Sequence, residues 1–240
     1  MPDAATALLL RGVEKNYGAL RPLRVRDLRI AAGGCTTLVG LDLPAAETFV
    51  NLVTGAVLPE QGEVVTFGQS TAAIADSDVW LTFVEQFGFV SDRIAMLDMM
   101  TVAQNLAIPF GLEVDPIPGD VIVRVRALAT EVGIAQADLS ARVGDAAPGI
   151  RARVRLGRAL ALDPLVVVME HPTATLEPAD MRPYAAALCR IWQHRSLTMV
   201  ALSMDEAFGK ALGGRLLIWQ PNTGEFTERR SWFRRLAGRP

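Results

Sequence analysis

The turn Gly40-Leu41-Asp42-Leu43-Pro44-Ala45-Ala46-Glu47-Thr48 follows a short apolar run, CTTLVG, and leads into a helical stretch, AAETFVNLVTG. Strand, glycine, short loop and helix form the frame of a phosphate-binding loop, whose pattern is GxxxxGK[ST]. In that pattern backbone N–H groups cradle phosphates, a lysine neutralises them and a hydroxyl holds magnesium. Here Ala45 stands at the second glycine, Ala46 at the lysine and Glu47 at the hydroxyl. Of 24 basic residues only Lys15 and Lys210 are lysines, so no other lysine is close in sequence to take over. The frame is present and its chemistry is exchanged; alone, it is a weak motif.

Charge works against nucleotide at this turn. Ala46 removes a positive charge, Glu47 adds a negative one, and Asp42 stands nearby. A unit pair about 4 Å apart is worth ~4 kcal/mol at an effective dielectric near 20, so the swing costs several kcal/mol of ATP binding. Pro44 has no N–H to offer a phosphate. It suits the first turn of a helix instead, where Glu47 complements the N-terminal dipole. The turn reads as a helix start that carries its own anion.

These residues need strands and helices to position them. ALLLRGVEKNYG and LRVRDLRIAAGG are apolar runs closed by glycine turns and predict strands, as do CTTLVG, EVVTFG and VWLTFV. LVVVME is an uninterrupted run that predicts a strand buried on both faces of a parallel sheet. LTMVAL and RLLIWQ predict late strands, with the helix DEAFGKAL between them. Helical patterning covers Val121–Val132, Ile150–Leu162 and MRPYAAALCRIWQH. Strand–helix alternation predicts an α/β fold with a parallel sheet, joined to an antiparallel layer made by the early hairpin-like strands.

Composition narrows the class. The 240 residues are half hydrophobic and 21% charged, which excludes a disordered or fibrous chain. A net charge of −2 gives no electrostatic footprint for nucleic acid. No apolar run reaches the ~18 residues of a membrane span. The start MPDAATALLLRG lacks the basic and apolar regions of a signal peptide. Cys35 and Cys189 belong to no CxxC or CxxH spacing and read as small buried hydrophobes in a reducing cytoplasm.

ARVRLGRALALDPLVVVMEHPTATLEP resembles the continuous run from signature helix through Walker B to D-loop in the ATP-binding subunits of ABC transporters, roughly RQRVALARALALDPxhhhhDEPTxxLDP with h apolar. TFVNLVTGAVLPEQGEVVTFGQ resembles the stretch after that family's phosphate loop. FGFVSDRIAMLDMMTVAQNLAIPF resembles its Q-loop and the segment that touches the membrane subunit, and VALSMDEAF its H-loop region, VTHDxDEAF. The matches fall in order over nearly the whole chain. The resemblance implies an α/β fold, a P-loop NTPase-like ABC cassette with a parallel-sheet core, an N-terminal antiparallel β layer and a helical subdomain. Residues 1–228 would be the ATPase-like domain, with the helical subdomain about 98–160 inside it, and 229–240 a basic tail.

Carried over position by position, the family's adenine-stacking aromatic is Tyr17, which reads equally as a strand-end aromatic. Gly40 and Thr48 remain of the phosphate loop, in a vestigial nucleotide site with Ala45, Ala46, Glu47 and Asp92, the last at the Q-loop glutamine. The signature falls on Ala146-Ala147-Pro148-Gly149-Ile150 and keeps one glycine. The Walker B aspartate is Glu170, the catalytic glutamate His171, the D-loop aspartate Glu177 and the H-loop histidine Leu202. Glu170, His171 and Leu202 are thus degenerate catalytic positions, and no catalytic residue or metal ligand is assigned. His171 also reads as a structural turn residue. Binding of Mg-ATP is expected to be weak.

The resemblance also implies partners: a membrane permease and a second ATP-binding cassette, in a homo- or heterodimer where each phosphate loop faces the other's signature. The expected role is a non-catalytic or weakly catalytic cassette subunit, a scaffold or regulator beside a competent ATPase, peripheral on the cytoplasmic face of the plasma (inner) membrane. Two alternatives stand beside it: an active ATPase with a site rewired through Glu47, Glu170 and His171, and a non-transport interaction protein that uses the old cleft. The permease contact is expected along Met96–Phe110. There Met96, Met99 and Met100 would be adaptable contacts, and Asp98, Thr101, Gln104 and Asn105 a polar rim. The tail carries five arginines in its last twelve residues, with Trp232 and Phe233; it reads as a solvated tail or as a contact for anionic lipid.

Overall fold

A computed structural model describes residues 5–228. The basic tail at 229–240, with Trp232 and Phe233, lies outside the described residues.

Strands β1 (Thr6–Lys15), β2 (Leu23–Ala31), β4 (Gln61–Thr66) and β5 (Gln69–Ser70) form an antiparallel layer in the order β2-β1-β4-β5. In β2 the buried residues Leu23, Val25, Leu28 and Ile30 lie among exposed charged ones, the mark of a sheet with one wet face. Gly62 is tied to its place by a close approach. Its φ is +84°, and a Cβ there would lie 2.4 Å from the Arg11 carbonyl oxygen, beside the irregular register of β1 against β4.

The second sheet has six strands in the order β10-β9-β3-β8-β7-β6. β3 (Cys35–Val39), β6 (Phe87–Val90), β7 (Val166–Glu170), β8 (Thr198–Ser203) and β9 (Arg215–Gln220) run parallel, and β10 (Glu225–Glu228) closes the edge antiparallel to β9. Every residue of β3, β7 and β8 is buried, as continuous apolar runs require of central parallel strands. The expected parallel core and antiparallel layer are both present.

Two cores flank this sheet. One lies toward the antiparallel layer and α1 (Leu43–Val53), around Leu8, Leu10, Leu38, Phe49 and Leu202. The other lies toward α3 (Val102–Ala107), α4 (Gly119–Val132), α5 (Pro148–Leu160), α6 (Pro178–Arg195) and α7 (Glu206–Leu212), around Leu106, Leu156, Met169, Tyr184 and Phe208. Each fully buried side chain of this size contributes about 2 kcal/mol of transfer free energy. Gly88 in β6 lets α5 sit directly on the sheet: a Cβ there would be 2.2 Å from the Ala159 carbonyl oxygen.

Two expectations are corrected. VWLTFV is no strand but most of helix α2 (Ser77–Val84). Asp76 caps it, its carboxylate accepting from the Asp78 and Val79 N–H groups. Its inward residues, Trp80, Phe83 and Val84, fall at helical spacing while Val79 and Leu81 stay exposed. Within Met96–Phe110 the expected polar rim is not uniform: Asp98 is exposed and pairs with Arg151, but the others have structural work. Thr101 and Gln104 form a capping box at the start of α3. Asn105 is fully buried; its amide accepts from the Leu97 N–H and donates to the Leu97 and Thr101 carbonyls. Met96 and Met100 pack half-buried on the helical core. The exposed large apolar groups here are Leu97 and Met99, the latter 75% accessible, with Ile94 just before them.

Candidate functional site

The C-terminal ends of β3, β6, β7 and β8 meet at one edge of the sheet, where ligands of open parallel sheets usually sit. Between β3 and α1 the chain has only Gly40, Leu41 and Asp42. Asp42 is the N-cap of α1: its carboxylate accepts the Ala45 N–H at 3.0 Å, and its carbonyl accepts the Ala46 N–H at 2.8 Å. The Gly40 N–H donates to the Ser203 carbonyl at 3.2 Å. Leu41, Ala45 and Ala46 are completely buried. The helix start does carry its own anion, but that anion is Asp42 and not Glu47, which lies beyond the first turn. Thr48 turns back into the helix, donating its hydroxyl to the Pro44 carbonyl at 2.8 Å.

Glu47 points instead to Arg93, in the segment after β6. Arg93 Nη1 lies 2.9 Å from Glu47 Oε1 and Arg93 Nε 2.9 Å from Glu170 Oε2, while Nη2 pairs with the other Glu170 oxygen. The guanidinium fork thus grips one carboxylate with two donors and a second with another. Ser91 adds a hydroxyl donor to Glu170 at 3.1 Å. Glu170 ends β7 with 8% of its side chain exposed, whereas Arg93 and Glu47 are each almost half exposed. A carboxylate buried this deeply needs a counter-charge, and Arg93 supplies it. The hydrogen bond to Glu170 also raises the Arg93 pKa, so the cation is permanent. A cleft of about 330 Å³ opens beside the triad, with Asn51, Thr54, Trp80 and Ser91 on its walls.

The other named positions are distributed around this centre. Tyr17 is half-buried, and burial together with the nearby Asp42 charge raises its pKa. Asp92 is exposed and pairs with Arg155 of α5 at 2.8 Å. His171 follows β7 with φ +44°, its N–H on the Leu202 carbonyl at 2.8 Å; its buried Nε2 meets no partner among the described residues. Leu202, expected at a catalytic position, lies fully buried opposite Glu170 in β8 and packs in the core with Leu41 and Ala46. Glu177 starts α6 without a side-chain cap. No group of three or more metal-ligating side chains occurs among the described residues.

The fold therefore brings Tyr17, Asp42, Glu47 and Glu170 to one edge and leaves Thr48 and Leu202 out of it. Arg93 was not foreseen. Its signal was the unpaired charge itself: two acids at a site stripped of lysine demand a cation, and arginine is this chain's usual base.

No family model matches the chain. Similar curated proteins are a sulfate/thiosulfate import ATP-binding protein, CysA, of Thermosynechococcus vestitus, 27% identical over 88% of this chain and 60% of that one, and an aliphatic sulfonates import ATP-binding protein, SsuB, of Rhodopseudomonas palustris, 29% identical over 90% of this chain and 72% of that one. The chain spans about three-fifths of the length of the first relatives it matches. Among solved structures, cbiO1 from Clostridium perfringens, part of an ABC transporter complex, overlays 93% of this chain and 87% of its own with a TM-score of 0.77 at 18% identity. The chain is a homologue of the ATP-binding subunits of ABC transporters and has the fold of an ABC cassette.

Proposed function

We propose that this chain is a non-catalytic or weakly catalytic cassette subunit of an ABC importer. It docks on a membrane permease at the cytoplasmic face and acts as scaffold or regulator beside a competent ATPase subunit. Import is taken from the names of its relatives. No helix among the described residues is long and apolar enough to cross a membrane; in this reading attachment runs through the permease. A groove of about 250 Å³ next to the exposed Ile94, lined by Phe87, Phe89, Pro109 and Leu162, offers apolar surface for it.

The observation that carries the non-catalytic reading is the internal satisfaction of the phosphate turn. The residues present do not fit Mg-ATP: Asp42 holds the N–H groups of Ala45 and Ala46, Pro44 has none, and Arg93 holds the acids nearest the metal's place. A rewired ATPase would need Glu47 and Glu170 free for a cation, and both are paired. Calorimetry with Mg-ATP is the test. The expected affinity is weaker than about 1 mM, and Ala46→Lys alone stays inactive, because the Asp42 cap and the Arg93 pairs remain. Micromolar binding by the unaltered chain overturns the reading.

A further inference from the structure

We propose that Arg93 is the resident cation of this site, and that the Glu47–Arg93–Glu170 triad clasps the segment from Ser91 to Thr101, with its exposed apolar face, to the sheet without nucleotide or metal. The inference rests on the reading above and deepens it by naming how the site is regulated: by nothing that binds there.

Three elements converge on one guanidinium. Glu47 belongs to α1, Glu170 ends β7, and Arg93 is the third residue of the segment that leaves β6. Ser91 and Arg93, both on that segment, donate to the same Glu170 carboxylate. Beyond them the segment is tied to the helical side. Asp92 pairs with Arg155, Asp98 with Arg151, the Ala95 carbonyl accepts from Arg158, and Asn105 holds both backbone groups of Leu97. Ile94, Leu97 and Met99 stand exposed between these ties. The segment thus joins sheet and helices with fixed charges at both ends. Two carboxylates and a hydroxyl at the end of a parallel strand are donors a divalent cation accepts, and a guanidinium occupies their centre. The cation is part of the chain and cannot diffuse away, so the clasp needs no ligand to be supplied.

Arg93 is here a positioning residue, and hydrogen exchange on the full chain tests it. In the unaltered protein, peptides spanning 91–101 are expected to exchange at the same rate in EDTA and in magnesium chloride. In Arg93→Ala they exchange about tenfold faster, a loss of protection typical of local opening, while β8 stays protected. Added magnesium chloride slows them again, because Glu47 and Glu170 are now free to take the ion. Unchanged exchange in Arg93→Ala overturns the clasp, and loosening that ignores magnesium overturns the claim that Arg93 stands where a metal would. If Arg93→Ala loses structure throughout, Glu47→Gln decides, since Glu47 is half exposed and its loss spares the buried pair. A smaller, segment-confined acceleration supports the clasp, and none refutes it. Protection of this segment by Mg-ATP in the unaltered chain would instead break the non-nucleotide reading, whatever the variants do.

Discussion

Helices α1 and α5 both begin with a proline in the first turn, Pro44 and Pro148, and their N-termini are finished in opposite ways. At α1 the Asp42 carboxylate caps the turn, and the flanking residues Leu41, Ala45 and Ala46 are buried. At α5 the N-cap is exposed Ala147, with no side-chain cap. The difference follows from the residue at the cap. Asp42, Leu43 and Pro44 are exposed, as are Ala147 and Pro148, but only Asp42 has a side chain that reaches back to an N–H of the first turn, so the start of α5 is left to water. In the proposed dimer, α5 is the end this chain would present to a partner's phosphate loop, so the closure is confined to its own site.

The strongest way to break this contrast is to remove the cation beside α1. Arg93→Ala strands the buried Glu170 carboxylate and should cost about 3 kcal/mol, the low end for a broken buried pair because Arg93 itself is half exposed. Glu170→Gln leaves Arg93 with Glu47 and water and should cost under about 1 kcal/mol. Urea unfolding of the two variants checks the asymmetry; equal losses would mean the pair acts as an ordinary surface bridge. A smaller effect sharpens the comparison at the caps. Asp42→Ala should lose about 1 kcal/mol, while Ala147→Ser should gain a few tenths, since only α1 is already capped. Thermal melts of both give the signs.

The smallest expected effect lies in the helical core, away from either cap. Tyr184 is completely buried and its hydroxyl has no partner among the described residues. Burial raises its pKa above the unfolded value near 10. The folded state then favours the neutral phenol, a contribution fully present below about pH 10 and lost as pH rises beyond it. Tyr184→Phe should be neutral or stabilising by up to about 1 kcal/mol at neutral pH and should flatten the alkaline loss. Urea midpoints at about pH 8 and about pH 11 measure both.

The sheet was legible because its strands announce themselves locally. Val166–Met169 is a run that only a doubly buried strand explains, and the glycine turns after β2 and β3 fall where the reading put them. VWLTFV misled because β-prone residues were read for type, while their burial follows the period of a helix begun by Asp76. FGFV, the strand β6, is only four residues long and too short to show a period of its own. At the site, the phosphate-loop frame points to Glu47 and the resemblance to Glu170, but neither points to their partner. No local pattern says that residues 47, 93 and 170 touch; the strand order does, by placing β6 beside β7. Asn105 was misjudged for the converse reason: an amide reads as surface until its three backbone partners are seen.

The triad also bears on the order in which the chain folds. Its hydrogen bonds span 46 and 77 residues of sequence, joining three elements that must first find their places. The three side chains meet only once α1, β6 and β7 have been placed, so the triad is expected to be largely absent from the folding transition state. Stability lost in Arg93→Ala should therefore appear as faster unfolding with the folding rate nearly unchanged. Arg93 sets how long the native state lasts rather than how quickly it is reached.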